Sequence, residues 1–407
     1  MKQSSMLPAA LGGENRHIVL FGRTGSGKTS IFDQLVDSKS VELQIKKGDA
    51  KYNPVVGRCR LNHAGEVTLI DTAGLDDVNE LGSEQAQRTR NIIRRADIAI
   101  YVVNIQEFGH KDREAYRHAL DWMKQNMVPY LLVFNRCDET YVGDIVKLKT
   151  EFPDAIFIST YTPGSIALLR ARLSQMVRCL KMQEAPLVPE NLIQAGDYVL
   201  MLAPDAGMIH EYPIVMELMN RGARCVIIHE DDLEATMHEV PRIDLVVAYA
   251  RSFGKVRDIV PEDIPLTSYS LLYGLRSGVL DSFIEGAHAV GTLTEDSRVL
   301  IAVNNEQSEI YKEIGRIKIP RALRKLVGEE LQIDYAFGLD LPEDLEKYDL
   351  VIHDTGSTMS QRSVRARVAI CHEAGVPVAN YGTILAELSG ILDRCAKALY
   401  PKQKEKE

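Results

Sequence analysis

No apolar run in this chain of 407 residues reaches the length needed to span a bilayer. The best candidates, Ile98 to Val103 and Tyr130 to Phe134, are the size of strands, so no membrane partner is expected. Residues 1–15 hold one lysine and no sustained apolar stretch, which predicts no secretory signal. Paired cysteines are missing too. Six are scattered (Cys59, Cys137, Cys179, Cys225, Cys371, Cys395) and none forms a Cys-x-x-Cys pair. They read as reduced, mostly buried thiols, and a cytoplasmic location is expected. Positive charge is in short supply: 48 Lys and Arg stand against 57 Asp and Glu, a net charge of −9. A general attraction to nucleic acid is therefore not expected. His210, His229 and His238 are too far apart to suggest a metal site by spacing. The 45% hydrophobic and 26% charged content suits a soluble globular protein, and the length suits two or three domains.

What is present begins with His17-Ile18-Val19-Leu20-Phe21, an apolar run of strand length. It feeds Gly22-Arg23-Thr24-Gly25-Ser26-Gly27-Lys28-Thr29 and then a helical pattern from Ser30 to Val36. The G-x-x-x-x-G-K-T spacing between a strand and a helix is the context that a phosphate-binding loop requires. Its glycines let successive N–H groups point inward at phosphate oxygens, and the helix adds the positive end of its dipole. Lys28 offers a point charge to the β- and γ-phosphates, and the Thr29 hydroxyl is the natural first ligand for Mg²⁺.

Residues Glu66 to Ile70 form the next strand pattern and deliver Asp71-Thr72-Ala73-Gly74. An aspartate at the carboxyl end of a strand beside the phosphate loop can hold Mg²⁺, and Gly74 can turn its N–H to a γ-phosphate. The segment between, Asp37 to Asn62, reads as a polar loop over the nucleotide. A helix over Ser83 to Arg95, a strand over Ile98 to Asn104, a helix over Asp112 to Asn126 and a strand over Tyr130 to Phe134 follow. The last strand ends in Asn135-Arg136-Cys137-Asp138. The Asp138 carboxylate can accept from both N1–H and the exocyclic amine of guanine, a donor pair that adenine does not present. Asn135 can donate to N7 and tie this loop to the phosphate loop, and Arg136 can lie along the base. A strand over Ala155 to Ile158 brings Ser159-Thr160-Tyr161, whose backbone can reach the base.

These motifs resemble the GTPases of the Era and MnmE type over roughly the first 180 residues. The resemblance implies binding of GTP and GDP with Mg²⁺. Three departures predict slow hydrolysis. No threonine lies between Thr29 and Thr68 to complete the Mg²⁺ shell, the region of interest reading Lys51-Tyr52-Asn53-Pro54-Val55. Gly25 stands where potassium-assisted members carry asparagine. Leu75 follows the Asp-Thr-Ala-Gly motif where Ras-like enzymes place a water-orienting glutamine, and Asp76, Asp77 and Glu80 are the nearby acids.

A break at Glu184-Ala185-Pro186-Leu187-Val188-Pro189 predicts a boundary after a domain of residues 14–184. Strand patterns at Tyr198 to Ala203, Arg224 to His229 and Leu245 to Tyr249 predict a second α/β domain over 185–283. Others at Val299 to Val303, Leu331 to Phe337, Leu350 to His353 and Val376 to Asn380 predict a third over 284–407. Its helical patterns are Met359 to Glu373 and Thr383 to Ala398. The fold class is α/β throughout: a P-loop GTPase domain, then two α/β domains with mainly parallel sheets.

Three phrases resemble the [FeFe]-hydrogenase maturation GTPases (HydF): Asp263 to Ser270, Ile314 to Arg321 and Gly375 to Gly382. The resemblance implies a homodimer, a middle dimerisation domain, a C-terminal cluster domain and hydrogenase maturation proteins or a hydrogenase-like client as partners. That family holds a [4Fe-4S] cluster on Cys-x-His and, further on, His-Cys-x-x-Cys. Aligned on Ile314-Gly315, the first pair falls on Asn305 and Gln307, and the second set on His353, Asp354 and Ser357. All three cysteines are absent, so no iron–sulfur cluster is expected. The function predicted is that of a GTP-binding, slowly hydrolysing maturation scaffold without a cluster. The alternative is a nucleotide-switched interaction module unrelated to metal delivery.

Overall fold

The structure is a computed structural model, and it describes residues 16–37, 54–72, 84–162, 164–182, 185–203, 212–303, 308, 310–337, 341–354 and 359–400. The chain divides into two compact units, Met1–Glu184 and Ala185–Glu407.

In the first unit, β1 (Arg16–Phe21) leads into α1 (Lys28–Leu35), then β2 (Val55–Leu61), β3 (Gly65–Asp71), α2 (Glu84–Arg95) and β4 (Ile98–Asn104). The chain continues through α3 (His110–Gln125), β5 (Tyr130–Asn135), α4 (Val142–Glu151), β6 (Ile156–Phe157) and α5 (Ser165–Met182). The sheet order is β2-β3-β1-β4-β5-β6. All pairings are parallel except β2 with β3. Because helices cover both faces, the central strands are apolar on both sides. Ile18 and Leu20 join a core with Ile31, Leu35, Leu169 and Leu173. Val19 and Phe21 join the opposite one with Tyr101, Tyr116, Met123 and Phe134. Strand β2 was not expected, since the sequence reads as loop there. The threonine search region lies mostly outside the described residues, which resume at Pro54.

The second unit contains two four-stranded sheets. The first is built from β7 (Tyr198–Leu202), α6 (Tyr212–Asn220), β8 (Arg224–Ile228), α7 (Leu233–Glu239), β9 (Leu245–Ala248), α8 (Phe253–Ile259) and β10 (Leu266–Ser268). Its order is β10-β9-β7-β8, all parallel. Helices α9 (Tyr269–Arg276) and α10 (Leu280–His288) lead to the second sheet. There β11 (Arg298–Val303) is followed by a π-helix (Tyr311–Lys318), α11 (Ile319–Val327), β12 (Gln332–Phe337) and β13 (Leu350–His353). The chain then runs through α12 (Gln361–Glu373), β14 (Val378–Asn380), α13 (Tyr381–Leu388) and α14 (Leu392–Lys397). The order is β12-β11-β13-β14, again all parallel.

One apolar cluster runs through both sheets, from Leu187 and Val199 to Ile301, Ile352, Ile384 and Leu399. The boundary expected between 283 and 284 falls inside α10. Arg394 of α14 donates to the carbonyls of Val260, Pro261 and Ile264, which lie between α8 and β10. The single helix expected over Thr383 to Ala398 is two helices, interrupted at Ser389 and at Gly390, whose φ is +71°.

Candidate nucleotide site

The phosphate loop follows β1, which pairs between β3 and β4, so the carboxyl ends of β1 and β3 lie side by side. The last register partner of Leu20 is Asp71. This brings Asp71 Oδ2 within 2.6 Å of Thr29 Oγ1, which donates to it. Asp71 Oδ1 is buried and makes no hydrogen bond. Burial raises the Asp71 pKa most strongly, while the Thr29 bond and the Lys28 charge pull it down and Asp33 adds a smaller upward push. A buried carboxylate oxygen with free lone pairs beside a hydroxyl suits a hard cation. Thr29 and Asp71 therefore fit Mg²⁺.

Lys28 Nζ donates to the carbonyls of Gly22 at 3.0 Å and Arg23 at 2.8 Å. The ammonium is thereby held across the loop that its own backbone forms. Thr24, Gly25, Thr29 and Ser30 are exposed along the loop and the start of α1, whereas Ser26 is buried. The Arg23 guanidinium turns away to Asp112 on α3, at 2.6 Å. Arg23 therefore contributes its backbone to the loop, with its side chain engaged elsewhere.

The loop after β5 is fastened to the loop between β1 and α1. Asn135 Nδ2 donates to the Ser26 carbonyl at 3.1 Å, across 109 residues of sequence. Gly27, at φ +91°, makes room for this: a Cβ there would lie 2.1 Å from Asn135 Nδ2. Arg136 adopts φ +65°, an uncommon conformation for a side-chain-bearing residue, and turns the chain into a short 3₁₀ segment, Cys137–Glu139. Asn135 is 2% exposed, while Asp138 projects into solvent. Cys137 N–H donates to Ile158 O, joining this loop to the one after β6. There Ser159 Oγ accepts from Tyr161 N–H.

Three side chains unforeseen in the sequence brace these loops. Gln34 of α1 donates to Thr160 O at 2.9 Å, and Gln106 donates to Glu139 O at 3.0 Å. Arg170 of α5 donates to Leu35 O, Gln34 O and Arg60 O. None belongs to a motif, and no local signal marks them. Gly74, Leu75, Asp76, Asp77 and Glu80 lie outside the described residues, as do Asn305, Gln307 and Ser357.

The fold and this constellation define a P-loop GTPase domain, and residues 17–136 match the family profile of the 50S ribosome-binding GTPases. Residues 188–278 match the hydrogen maturase F dimerization domain and residues 281–398 its tetramerization domain. In domain content the chain is HydF-like: a GTPase domain followed by the dimerization and tetramerization domains of hydrogen maturase F. It is also similar to GTPase Der of Buchnera aphidicola (strain APS), 29% identical over 126 residues, covering 30% of this chain and 26% of that protein. GTPase HflX of Gluconacetobacter diazotrophicus is 24% identical over 180 residues, covering 43% of this chain and 38% of that protein. The chain thus spans about a quarter of the length of the Der relatives it matches. Among solved structures, the G domain of the T. maritima FeoB iron transporter aligns over 40% of this chain and 98% of its own, at 18% identity and a TM-score of 0.32. Aquifex aeolicus Era bound to GDP·AlF4⁻ aligns over 60% and 98%, at 15% identity and a TM-score of 0.30.

Proposed function

We propose that this chain binds GTP with Mg²⁺, hydrolyses it slowly, and serves as a hydrogenase-maturation scaffold that works without a [4Fe-4S] cluster. The observation that carries the nucleotide reading is the Asn135–Ser26 bond, which makes one unit of the base and phosphate loops. In this reading Gly22 to Ser30 cradle the phosphates, Lys28 exchanges its two carbonyl partners for phosphate oxygens, and Thr29 and Asp71 hold Mg²⁺. That ion would neutralise charge on the phosphates. Asp138 accepts from guanine, Arg136 flanks the base, and Ser159 and Thr160 close its far side. Slow turnover follows from Gly25 and Leu75, which supply neither a potassium ligand nor a water-orienting amide.

The absence of a cluster rests on side-chain chemistry. At the two described ligand positions stand His353, 1% exposed, and Asp354, 5% exposed. His353 packs its ring 5.1 Å from that of Phe283. The nearest thiols in sequence, Cys371 and Cys395, are each pushed up to about 12 by burial and stay protonated. A four-iron cluster needs thiolates, and these residues do not supply them. The deciding experiment is anaerobic iron–sulfur reconstitution of the full chain, alongside GTP binding by calorimetry. Guanine-specific binding with no stoichiometric cluster is expected. A stable [4Fe-4S] centre would overturn the scaffold reading while leaving the GTP site intact.

A further inference from the structure

Beyond the braces that Asn135 and Lys28 give it, the phosphate loop is tied to α3. Asn135 holds the Ser26 carbonyl in the second half of the loop. Lys28 holds the carbonyls of Gly22 and Arg23 in the first half. The tie to α3 leaves the loop sideways: Arg23 Nη1 donates to Asp112 Oδ1 at 2.6 Å, across 89 residues of sequence. Asp112 is the deeper partner, its side chain 14% exposed against 48% for Arg23. The Asp112 bond is the largest cause of a raised Arg23 pKa, with Glu107 and Tyr101 adding to it and burial opposing.

Packing does not fix the distance between loop and helix. Between them lies a cavity of about 20 Å³, whose walls include Arg23, Ser26, Tyr101, Asn104, Glu107 and Asp112. That is room for about one water molecule. Ser26 is one of those walls, yet its buried hydroxyl makes no hydrogen bond. Gly22, by contrast, is pressed onto β4, where a Cβ would lie 2.3 Å from the Val102 carbonyl oxygen. The loop is thus seated on β4 at its start and tied to α3 one residue later. An ion pair this exposed adds little to stability, but it can select one loop shape over its competitors.

Nucleotide binding changes the balance among these braces. Lys28 gives up its two carbonyls for phosphate oxygens, and the first half of the loop loses that hold. The Arg23 carbonyl then keeps the longer 3.3 Å bond from Ser26 N–H, and its side chain keeps Asp112. We infer that Asp112 is a positioning residue for nucleotide binding, acting through Arg23 to hold the first half of the phosphate loop once Lys28 has turned to the phosphates. It acts on the loop and not on the ligand. The inference rests on the reading of Lys28 given above. Backbone N–H groups recognise phosphate oxygens by direction, so a loop held in advance needs less ordering and releases its ligand slowly.

The test is stopped-flow dissociation of mant-GDP from the full chain, displaced by excess GDP with Mg²⁺ present. Arg23→Ala and Asp112→Ala should each speed release about fivefold, the upper range for a half-exposed ion pair. The double variant should be no faster than either single one, because the two side chains act as a unit. Asp112→Glu, which keeps the charge, should stay within about twofold of the parent. Asp112 also lies in the first turn of α3, where an acid favours the helix. Arg23→Ala leaves that contribution intact and so reads the loop alone. Lys28→Ala is the control for the underlying site and should lose mant-GDP altogether. Release unchanged in Arg23→Ala, or additive effects in the double variant, would overturn the inference while leaving the nucleotide site in place. A lowered melting temperature without faster release would overturn it too, reducing the pair to a structural contact. Retention of mant-GDP by Lys28→Ala would instead overturn the nucleotide reading, and the inference with it.

Discussion

Asp138 stands exposed on a 3₁₀ segment whose position is fixed from three sides, by Asn135, by the Cys137–Ile158 bond and by Gln106. A carboxylate so placed discriminates by what it accepts. Asp138→Asn should therefore cost GTP affinity by two charge-assisted bonds at about 1.5–3 kcal/mol each and shift preference towards xanthosine nucleotides. Calorimetry with GTP and XTP reads this, and unchanged GTP affinity would remove the guanine assignment. Gly27→Ala should abolish nucleotide binding at the neighbouring loop, because the added methyl displaces Asn135. A third residue sets a pH limit. His17 is buried on β1, and burial is the largest cause of its lowered pKa, with Arg16 and Arg95 helping and Asp97 opposing. The unfolded chain takes up a proton near 6.5 while the folded one refuses it. This contribution to stability is thus present above that value and lost as pH falls through it. Melting temperatures from pH 7.5 to 5 should fall less steeply in His17→Asn than in the parent. The motif residues were legible in the sequence because each motif is contiguous and follows its own strand. Gln34 and Arg170 were not, since their partners lie up to 136 residues away.

Strand β2 shows what a sequence pattern conceals at the level of an element. Its inward positions are Gly57, Cys59 and Leu61, and the alternating Arg58 and Arg60 make the run look like a polar loop. Pairing with β3, rather than its own hydrophobicity, makes it a strand. By contrast β4 is buried at every position and its bounds could be read directly. Arg170 joins β2 to the rest: from α5 it reaches the last carbonyls of α1 and the β2 backbone at Arg60. Helix ends leave carbonyls without internal partners, and this guanidinium answers them. Arg170→Ala should therefore destabilise the first unit by about 1–3 kcal/mol. Hydrogen exchange should rise first at the end of α1 and along β2, and uniform protection would contradict the clamp.

At the level of the molecule, the sheet containing β7 ends at β8, an edge strand that leaves Ile227 53% exposed. Met216 and Met219 on the adjoining α6 are exposed as well. An apolar edge is an aggregation hazard unless something pairs with it. Since these residues lie within the dimerization-domain match, a second copy of the chain is the expected occupant. Ile227→Lys should shift the protein to a smaller species in analytical ultracentrifugation while GTP binding persists; an unchanged sedimentation coefficient would place the dimer contact elsewhere. The core common to both sheets of the second unit bears on a different question, namely what the last sheet does for its neighbour. Helix α10 packs against β14 so closely that a Cβ at Gly286 would strike the Val378 carbonyl, and Arg394 holds the α8–β10 connection from the far end of the chain. Excising residues 284–407 would cut through α10 and uncover the apolar side of the sheet that ends at β8. The last sheet thus serves as a wall for its neighbour, and its loss should be felt first as failure to assemble.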